Sequence, residues 1–360
     1  MADKKYDNAL MTNASALLSD SNPKILLVKL SSLGDVLHNL PLVWDLRVRL
    51  PHAQIDWVVE EAYVHLLEPL LSTAHFKGID RIIPFGLRRW KKNLFTLSTW
   101  KEFFAFRREL REVQYDILIE TQGLLKSALL CALANKSSNA VVAGLANATQ
   151  YSGYEPVARS FYNQCVQVPN QCHAVDRSRW VMCSALDWPL LEHSEAPQFY
   201  PATFTQALIK KAVGQIQTPY VLCFHSTARE AKRWINSNWV ALGKELSSKG
   251  YQVVFPWGNA AEKAISHELA NQVPGAVVPP SFSIQEAFSV IAGAALTVGV
   301  DTGLTHLAAV LGKPTVEIYC DSPLWKTDGY WSNQIHNLGD MQSPPSADAV
   351  IKASLDLLQQ

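Results

Sequence analysis

Short apolar runs rich in β-branched residues alternate with longer stretches of helical periodicity along most of the chain. In the first half the runs predict strands at 24–30, 55–60, 116–120 and 140–145, and helices at 35–49, 98–113 and 124–134. In the second half they predict strands at 220–225, 251–256, 276–278, 295–300 and 315–319, with helices at 237–249, 260–272, 284–292 and 304–311. Such alternation is typical of parallel sheets covered on both faces. We therefore predict an α/β fold of two doubly wound, Rossmann-like domains that face each other across a cleft.

A polar, proline-containing stretch at 189–205 is the best candidate for the linker between the two domains. The predicted division is a flexible leader at 1–22, an N-terminal domain at 23–195, a C-terminal domain at 196–342 and a final helical segment at 343–360. Packing of that last helix back on the N-terminal domain is one option that the pattern allows.

Composition excludes several classes of protein. Of the 360 residues, 48% are hydrophobic and 18% are charged, which is typical of a globular chain and not of a disordered one. Lys+Arg and Asp+Glu both number 32, so a general nucleic-acid binder is not indicated. The six cysteines form no C-x-x-C pair, which argues against zinc and against a disulfide framework. No run approaches ~20 uninterrupted apolar residues, so no membrane span is predicted.

The turn after the predicted strand at 295–300 has the features of an anion site. In parallel sheets ligands lie beyond the carboxyl ends of the strands. Here Asp301, Thr302 and Gly303 turn the chain into a helix that starts near Leu304 and carries His306 in its first turn. The free backbone N–H groups of that turn suit a diphosphate. The alternative is an aspartate-capped helix without a ligand.

The segment 223–234 offers hydroxyls from Ser226 and Thr227, followed by the cation of Lys232. A lysine beside a diphosphate would neutralise charge on a departing nucleotide, as a metal does elsewhere. Farther along, Glu262 follows another strand, where a carboxylate suits ribose hydroxyls. The alternatives are an ordinary basic loop and a solvated glutamate. No D-x-D sequence occurs in the chain, and this favours a metal-free transferase.

The segment KLSSLGDVLHNLP, residues 29–41, places Asp35 just after the first predicted strand. One interpretation of Asp35 is a helix cap, because a carboxylate at the start of a helix is stabilised there and stays ionised. If a nucleotide sugar binds the second domain, the same carboxylate suits a base that takes the proton of an attacking hydroxyl. We expect partial burial to raise its basicity.

Two further segments of the first domain favour an acidic or lipidic acceptor. The cluster at 86–93 concentrates cations that suit an anionic acceptor, although a solvated loop tolerates them equally. The aromatic and basic segment at 94–110 fits either a lipid surface or, more commonly, a core-facing amphipathic helix. The turn at 120–126 is read either as an acceptor contact or as plain helix capping.

Several motifs together resemble those of the bacterial lipopolysaccharide heptosyltransferases, and most closely heptosyltransferase I of the inner core. The motifs are KLSSLGDVLHNLP, IDWVVEEAY, RRWKK, TQGLLKSA, HSTAREAKRW, FPWG and VDTGLTHLAAVLGKP. The resemblance extends from about residue 24 to at least residue 320. It implies a GT-B fold and an inverting, metal-independent transfer of L-glycero-D-manno-heptose from ADP-heptose to the first Kdo of Kdo2-lipid A. It implies no cofactor, no nucleic-acid partner, and a peripheral enzyme on the cytoplasmic face of the inner membrane.

The resemblance also assigns roles to residues at matching motif positions. It implies two catalytic residues, Asp35 and Lys232. The implied donor-binding residues are Ser226, Thr227, Lys232, Glu262, Phe282, Asp301, Thr302, Gly303, Leu304 and His306. The implied acceptor-binding residues are Ser31, Ser32, Gly34, Arg88, Arg89, Lys92, Gln122 and Lys126. The chain departs from the family pattern at Ala228, which replaces a threonine, and at 319–323, which replaces a Tyr-Gly-Pro turn.

Three functions other than heptosyltransferase I are compatible with this pattern. The first is heptosyltransferase II, which usually has a different first loop. The second is another GT-B nucleotide-sugar enzyme such as a UDP-GlcNAc epimerase, which shares the fold but lacks the pairing of Asp35 with a basic acceptor loop. The third is a non-catalytic binding protein, and degraded catalytic residues would be its signature. Asp35, Lys232 and Asp301 are all intact.

Overall fold

A computed structural model describes residues 22–190, 200, 216, 219–227, 229–329 and 334–359. The chain divides into two compact units, Met1–Glu192 and His193–Gln360. All but the last residue of the predicted leader, and most of the predicted linker at 189–205, lie outside the described residues.

The first unit is built on a six-stranded sheet in which every pair of neighbouring strands is parallel. The strands are β1 (Lys24–Val28), β2 (Gln54–Glu60), β3 (Arg81–Phe85), β4 (Tyr115–Glu120), β5 (Lys136–Leu145) and β6 (Gln164–Val166). Their order is β3-β2-β1-β4-β5-β6, so the winding reverses between β1 and β4. Val28 and Glu120, the last residues of those two strands, are register partners. The loops that follow β1 and β4 therefore leave the sheet together, at the point where doubly wound folds bind ligands.

Helices cover this sheet, and the first of them differs from the prediction. The helices are α1 (Leu33–Leu37), α2 (Leu40–Arg49), α3 (Val64–Leu67), α4 (Leu87–Lys92), α5 (Leu97–Leu110), α6 (Leu125–Leu133) and α7 (Ala174–Ala185). The single helix predicted at 35–49 is wrong, because the chain forms α1 and α2 separately. Pro41 lies in the first turn of α2, and since it has no N–H to continue the earlier helix, it begins a new one.

The second unit has a five-stranded sheet of the same kind, again with parallel neighbours throughout. Its strands are β7 (Tyr220–Phe224), β8 (Gln252–Val254), β9 (Leu296–Val300), β10 (Thr315–Tyr319) and β11 (Ile335–Gly339), in the order β11-β10-β9-β7-β8. The strand predicted at 276–278 is wrong. Val277 makes only an isolated bridge to Val254, because the two prolines that follow at 279–280 cannot donate to a ladder.

The helices of the second unit are α8 (Asn236–Ser248), α9 (Ala260–Ala270), α10 (Ile284–Gly293), α11 (Gly303–Val310), α12 (Leu324–Thr327) and α13 (Ala347–Leu358). The sequence allowed α13 to pack on the N-terminal domain. Its buried residues Val350, Ala353 and Leu357 instead join the core of the second unit, together with the strands β7 to β10. Over the described ranges, no helix combines the length and the apolar character needed to cross a bilayer.

Candidate functional site

Four charged side chains of the second unit meet near the carboxyl ends of β9 and β10. Lys232 Nζ donates to Asp301 Oδ2 at 2.6 Å, and His306 Nε2 lies 3.0 Å from Asp301 Oδ1. His306 Nδ1 lies 3.2 Å from Glu317 Oε1, and the Tyr319 hydroxyl donates to Glu317 Oε2 at 2.9 Å. Two cationic and two anionic groups therefore alternate in one chain of contacts, which we call the charged relay (Lys232, Asp301, His306, Glu317).

Local structure explains why these groups meet. Strand β9 ends at Val300, and Thr302 is the extended N-cap residue of α11. The backbone N–H of His306 bonds to the carbonyl oxygen of Thr302 at 3.1 Å, which sets the first helical turn. Gly303 and Leu304, half-buried, occupy that turn. The predicted turn at 301–306 thus has the free N–H groups that a diphosphate requires.

Burial and neighbouring charges shift the pKa values of the relay in opposite directions. Burial of His306 opposes its charged form, but the charges of Glu317 and Asp301 outweigh burial and raise the pKa of His306 to about 10. Burial would raise the pKa of Asp301, yet His306 and Lys232 hold it well below its usual range. The histidine is therefore an imidazolium at neutral pH and donates from both ring nitrogens.

We expect Glu317→Gln to lower the pKa of His306 and to destabilise the protein most in acidic and neutral solution, with the difference from the wild type shrinking as the pH approaches 10. A raised histidine pKa contributes stability that is complete below its unfolded value of 6.5 and is lost as the pH rises through about 10. With less of this contribution, the variant should lose about 1–3 kcal/mol of unfolding free energy at pH 8. Urea unfolding at pH 8, together with an NMR titration of His306, measures both effects. Glu268→Gln, on an exposed helical face, is the control; an unshifted His306 titration contradicts the assignment.

The loop after β7 is held by a buried histidine. His225 Nε2 lies 2.8 Å from Ser266 Oγ, and His225 Nδ1 lies 2.9 Å from Ser226 Oγ. Burial, helped by the positive charge of Arg233, lowers the pKa of His225 to about 4, so the ring is neutral. The predicted donor residue Ser226 is therefore fixed by its neighbour, whereas Thr227 lies beside it half-buried.

The two departures from the family pattern lie on or near this loop. Ala228 is outside the described residues. The next residue, Arg229, donates to Asp321 at 2.8 Å, and Asp321 lies within the divergent segment 319–323. This ion pair, in which the Arg229 side chain is exposed, links the loop after β7 to the loop after β10.

Two predicted donor residues stand apart from the charged relay. Glu262 Oε2 accepts a hydrogen bond from the backbone N–H of Gly258 at 2.7 Å, so it caps the loop after β8. Phe282 is half-buried just before α10. No hydrogen bond or ion pair joins either of them to Asp301 among the described residues. The structure thus places Glu262 in the first turn of α9 and Phe282 just before α10, in the same unit but outside the relay.

In the first unit, Asp35 lies in α1 next to a buried lysine. Asp35 Oδ2 accepts from the backbone N–H of Ser32 at 2.9 Å and from Ser32 Oγ at 3.0 Å. Lys29 Nζ lies 3.8 Å from Asp35 Oδ1, and the Asp35 side chain remains 44% exposed. Gly34 precedes it, half-buried, in the same turn. Asp35 therefore caps its helix and is also accessible.

The electrostatics of Asp35 differ from the expectation. Burial does raise its pKa, as predicted, but Lys29 and the N–H of Ser32 outweigh burial and bring the pKa down to about 2. The expectation of raised basicity is therefore wrong, because the charge of Lys29 outweighs burial together with the bonds from Ser32. The carboxylate is ionised throughout the neutral range.

The loops after β1 and β4 are tied together by hydrogen bonds. Gln122 Oε1 accepts from the backbone N–H groups of Leu30 and Ser31, at 3.2 and 3.3 Å. Buried Glu120 accepts from the backbone N–H groups of Gln122 and Gly123. Gly123 has a φ of +76°, a conformation that favours glycine. The bonds to Leu30 and Ser31 fix the backbone that precedes Asp35, so Gln122 helps to position the loop after β1.

Three of the predicted acceptor cations are paired with carboxylates. Glu60 lies 2.7 Å from Arg88 Nε and 3.1 Å from Lys126 Nζ. Arg89 contacts Glu61 at 2.6 Å and also pairs with Glu102. The sequence predicted a basic cluster, but it did not reveal these carboxylate partners because they come from other elements.

Three of the cations line one surface pocket of about 350 Å³. Its lining residues are Glu60, Glu61, Ala62, Phe85, Gly86, Arg88, Arg89 and Lys92. Three cations and two carboxylates leave it with one net positive charge. Lys92 is exposed and has no ion pair among the described residues. The pocket suits an anionic ligand that can exchange with the carboxylates.

Sequence reasoning missed two charged residues beside the predicted site residues. Lys29 lowers the pKa of Asp35, and Glu317 raises the pKa of His306. Each had a visible signal, since each is a charged residue next to or inside an apolar run, where burial of a charge requires a partner. Across the part of the chain that the structure describes, no group of three His, Cys, Asp or Glu side chains has an arrangement that would hold a metal.

Comparison with known proteins places the chain among heptosyltransferase sequences. The profile of glycosyltransferase family 9 (heptosyltransferase) matches residues 103–356. Lipopolysaccharide heptosyltransferase 1 of Pseudomonas aeruginosa is 36% identical over 324 residues, which are 89% of this chain and 85% of the relative.

Two solved structures of the Escherichia coli heptosyltransferase WaaC are also similar. The structure with ADP has a TM-score of 0.76 at 30% identity and covers 93% of this chain and 99% of its own. The structure with ADP-2-deoxy-2-fluoro heptose has a TM-score of 0.71 at 31% identity, with coverages of 91% and 98%. The predicted fold class and the resemblance drawn from the motifs are both confirmed by these likenesses together with the two parallel sheets.

Proposed function

Because the chain belongs to glycosyltransferase family 9, the heptosyltransferases, and is therefore an enzyme, we propose that it transfers L-glycero-D-manno-heptose from ADP-heptose to the first Kdo of Kdo2-lipid A. This is the heptosyltransferase I step of lipopolysaccharide core synthesis. The observation that carries the proposal is the charged relay at the start of α11, where Lys232 and His306 converge on Asp301.

The second unit holds the donor in this proposal. The N–H groups at the start of α11 and the cation of Lys232 bind the diphosphate, with Thr302, Gly303 and Leu304 forming the turn. Asp301 accepts hydrogen bonds from heptose hydroxyls, and its fixed ionisation suits that role. The remaining donor contacts come from Ser226 and Thr227 at the phosphates, Glu262 at the ribose, Phe282 at the adenine and His306 behind Asp301. The solved relative with ADP-2-deoxy-2-fluoro heptose supports this donor class.

The first unit supplies the base and the acceptor contacts. An acceptor hydroxyl attacks the anomeric carbon, the bond from that carbon to the ADP oxygen breaks, and Asp35 takes the hydroxyl proton. Attack opposite the leaving group inverts the anomeric configuration. The proton becomes acidic as the new C–O bond forms, so a carboxylate of ordinary or low basicity suffices late in this step. The proposed acceptor contacts are Ser31, Ser32, Gly34, Arg88, Arg89, Lys92, Gln122 and Lys126.

We propose that the reaction needs neither a metal nor a resident cofactor, since Lys232 and the N-terminus of α11 supply positive charge to the departing ADP. EDTA is therefore expected to leave the transfer rate unchanged in metal-depleted buffer. Chromatographic measurement of the released ADP, which needs no metal-dependent coupling enzyme, measures this. The control is a magnesium-dependent glycosyltransferase in the same buffer, and strong inhibition that Mg²⁺ reverses contradicts the metal-free mechanism.

The acceptor is a membrane lipid, so we further propose that the protein acts as a peripheral enzyme on the cytoplasmic face of the inner membrane. Support comes from the cations around the pocket at Arg88, Arg89 and Lys92, which suit the carboxylates and phosphates of such a lipid.

The function is tested by a transfer assay with ADP-heptose and Kdo2-lipid A, run beside UDP- and GDP-sugars. Product from ADP-heptose alone is the expected result. A second acceptor, Kdo2-lipid A that already carries one heptose, separates the two heptosyltransferase types. Preference for that acceptor contradicts the type I proposal, and activity with a UDP-sugar contradicts the donor class.

A further inference from the structure

Five large apolar side chains lie exposed together in the first unit. Their exposed fractions are 51% for Leu94, 100% for Phe95, 82% for Leu97, 51% for Trp100 and 58% for Phe104. We call these five residues the apolar patch. The other strongly exposed apolar residues, such as Val48, Val157 and Ile235, are scattered along the chain. A contiguous apolar patch marks an interaction surface, whereas single exposed residues do not.

The patch results from the spacing along α5. Leu97, Trp100 and Phe104 are spaced i, i+3 and i+7 and therefore share one face of this helix. Thr99, Phe106 and Leu110 occupy the opposite face and are buried. The more common interpretation of the segment, a helix whose aromatic side faces the core, is correct only for the face that carries Phe106. The second aromatic face is directed to solvent.

Exposed cations surround the patch. They are Lys91, Lys92, Lys101, Arg107 and Arg108. Within the described ranges none of them takes part in an ion pair. Lys101 and Arg108 follow Leu97 at i+4 and i+11, so they share its face of α5. The surface therefore combines aromatic groups with uncompensated positive charge.

The patch is joined to the pocket of the proposed acceptor site. Glu102 on α5 pairs with Arg89 on α4 and accepts from Trp90 Nε1 at 3.0 Å. The ring of Phe103 lies 5.9 Å from that of Trp90 and 5.8 Å from that of Phe104. These contacts pack α5 against α4, the helix that lines the pocket. The patch and the pocket therefore belong to one continuous surface of the first unit.

We propose that the apolar patch and its five cations form a docking surface for an anionic lipid bilayer. The aromatic and leucine side chains enter the boundary between head groups and acyl chains, while the lysine and arginine side chains contact lipid phosphates. Charge complementarity selects this occupant, because a neutral protein partner leaves all five cations without compensation. The inference deepens the proposed function, since it identifies the surface that brings the pocket to a membrane-embedded acceptor.

The test is flotation of the full chain with vesicles, without donor or acceptor, so that it is independent of catalysis. Vesicles of phosphatidylcholine are compared with vesicles that also contain phosphatidylglycerol. We expect binding only to the anionic vesicles. Phe95→Ser combined with Leu97→Ser is expected to lower partitioning about tenfold or more. Each of Lys101→Gln and Arg108→Gln is expected to lower it about fivefold.

Matched controls separate docking from loss of fold. Phe95 and Leu97 are the most exposed members of the patch, so their replacement should leave the thermal midpoint unchanged. Val48→Ser combined with Val157→Ser, at residues that are 69% and 53% exposed, removes two apolar side chains elsewhere on the first unit and should not affect flotation.

Three outcomes overturn the inference. The first is binding of the double variant at the wild-type level, and the second is equal binding to neutral vesicles. The third is a dimer in vesicle-free buffer that becomes a monomer in the double variant, because the patch is then an interface between copies. Transfer to a water-soluble, deacylated Kdo acceptor should be unaffected by the double variant. If the wild type floats with anionic vesicles but transfers no heptose from ADP-heptose to Kdo2-lipid A, the proposed function fails and the docking surface stands.

Discussion

Asp35→Asn is expected to lower the transfer rate about 100- to 10,000-fold while leaving the fold and donor affinity close to those of the wild type. Asparagine keeps the shape of the side chain and its contacts with Ser32, but it cannot accept the hydroxyl proton. Single-turnover rates with ADP-heptose and Kdo2-lipid A measure the loss, and calorimetric titration with ADP measures donor binding.

The alternative interpretation of Asp35 as a helix cap has a control within the same chain. Ser283 and Glu286 form a capping box like that of Ser32 and Asp35, with Glu286 accepting from Ser283 N and Oγ at 2.8 Å each. Glu286→Gln therefore imposes the same local cost without touching the proposed base. Equal loss of rate in both variants would show that capping alone explains the effect, and a near-normal rate in Asp35→Asn refutes the base assignment.

Replacing Lys232 is expected to have the second-largest effect. Its ammonium group donates to Asp301, the residue that follows β9. We expect Lys232→Gln to lower turnover about 100- to 1,000-fold by leaving charge on the departing ADP unbalanced. The loss should be larger in kcat than in donor affinity, because that charge develops in the transition state. Separate measurement of kcat and of the KM for ADP-heptose tests this.

Stability must be separated from catalysis for this residue. Lys232 donates to buried Asp301 at 2.6 Å, and truncation to alanine leaves that carboxylate with His306 and Thr327 as its remaining partners. Glutamine keeps a donor for Asp301, so Lys232→Gln should fold better than Lys232→Ala while being equally slow. Lys249→Gln, in an exposed pair with Glu245, is the control. Wild-type turnover in Lys232→Gln contradicts the role given to the cation.

The sequence predicted the strand-end loops well because the carboxyl edge of a parallel sheet collects polar residues that a buried strand cannot hold. Asp35 and the turn at 301–306 were first singled out on this ground, and their roles stay predictions. The strands β3, β6 and β11 escaped prediction. Pro84 interrupts the run of β3, polar His336 and Asn337 interrupt that of β11, and β6 is only three residues long. All three lie at sheet edges, where short or interrupted strands are tolerated.

Pairing across elements was beyond prediction from a single sequence. Nothing in the local pattern showed that Arg88 would meet Glu60 or that Glu317 would meet His306, because these partners come from different strands and helices. The same limit produced the wrong expectation for Asp35, whose neighbour Lys29 is near in sequence but acts through its position in space.

His225 and His306 of the second unit have pKa values of about 4 and about 10, so both keep a constant protonation state from roughly pH 5 to pH 9. Acidification or alkalinisation across that interval leaves the charge of both rings unaltered. Under the proposed function, a pH–rate profile between those limits therefore reports on the acceptor and on the first unit.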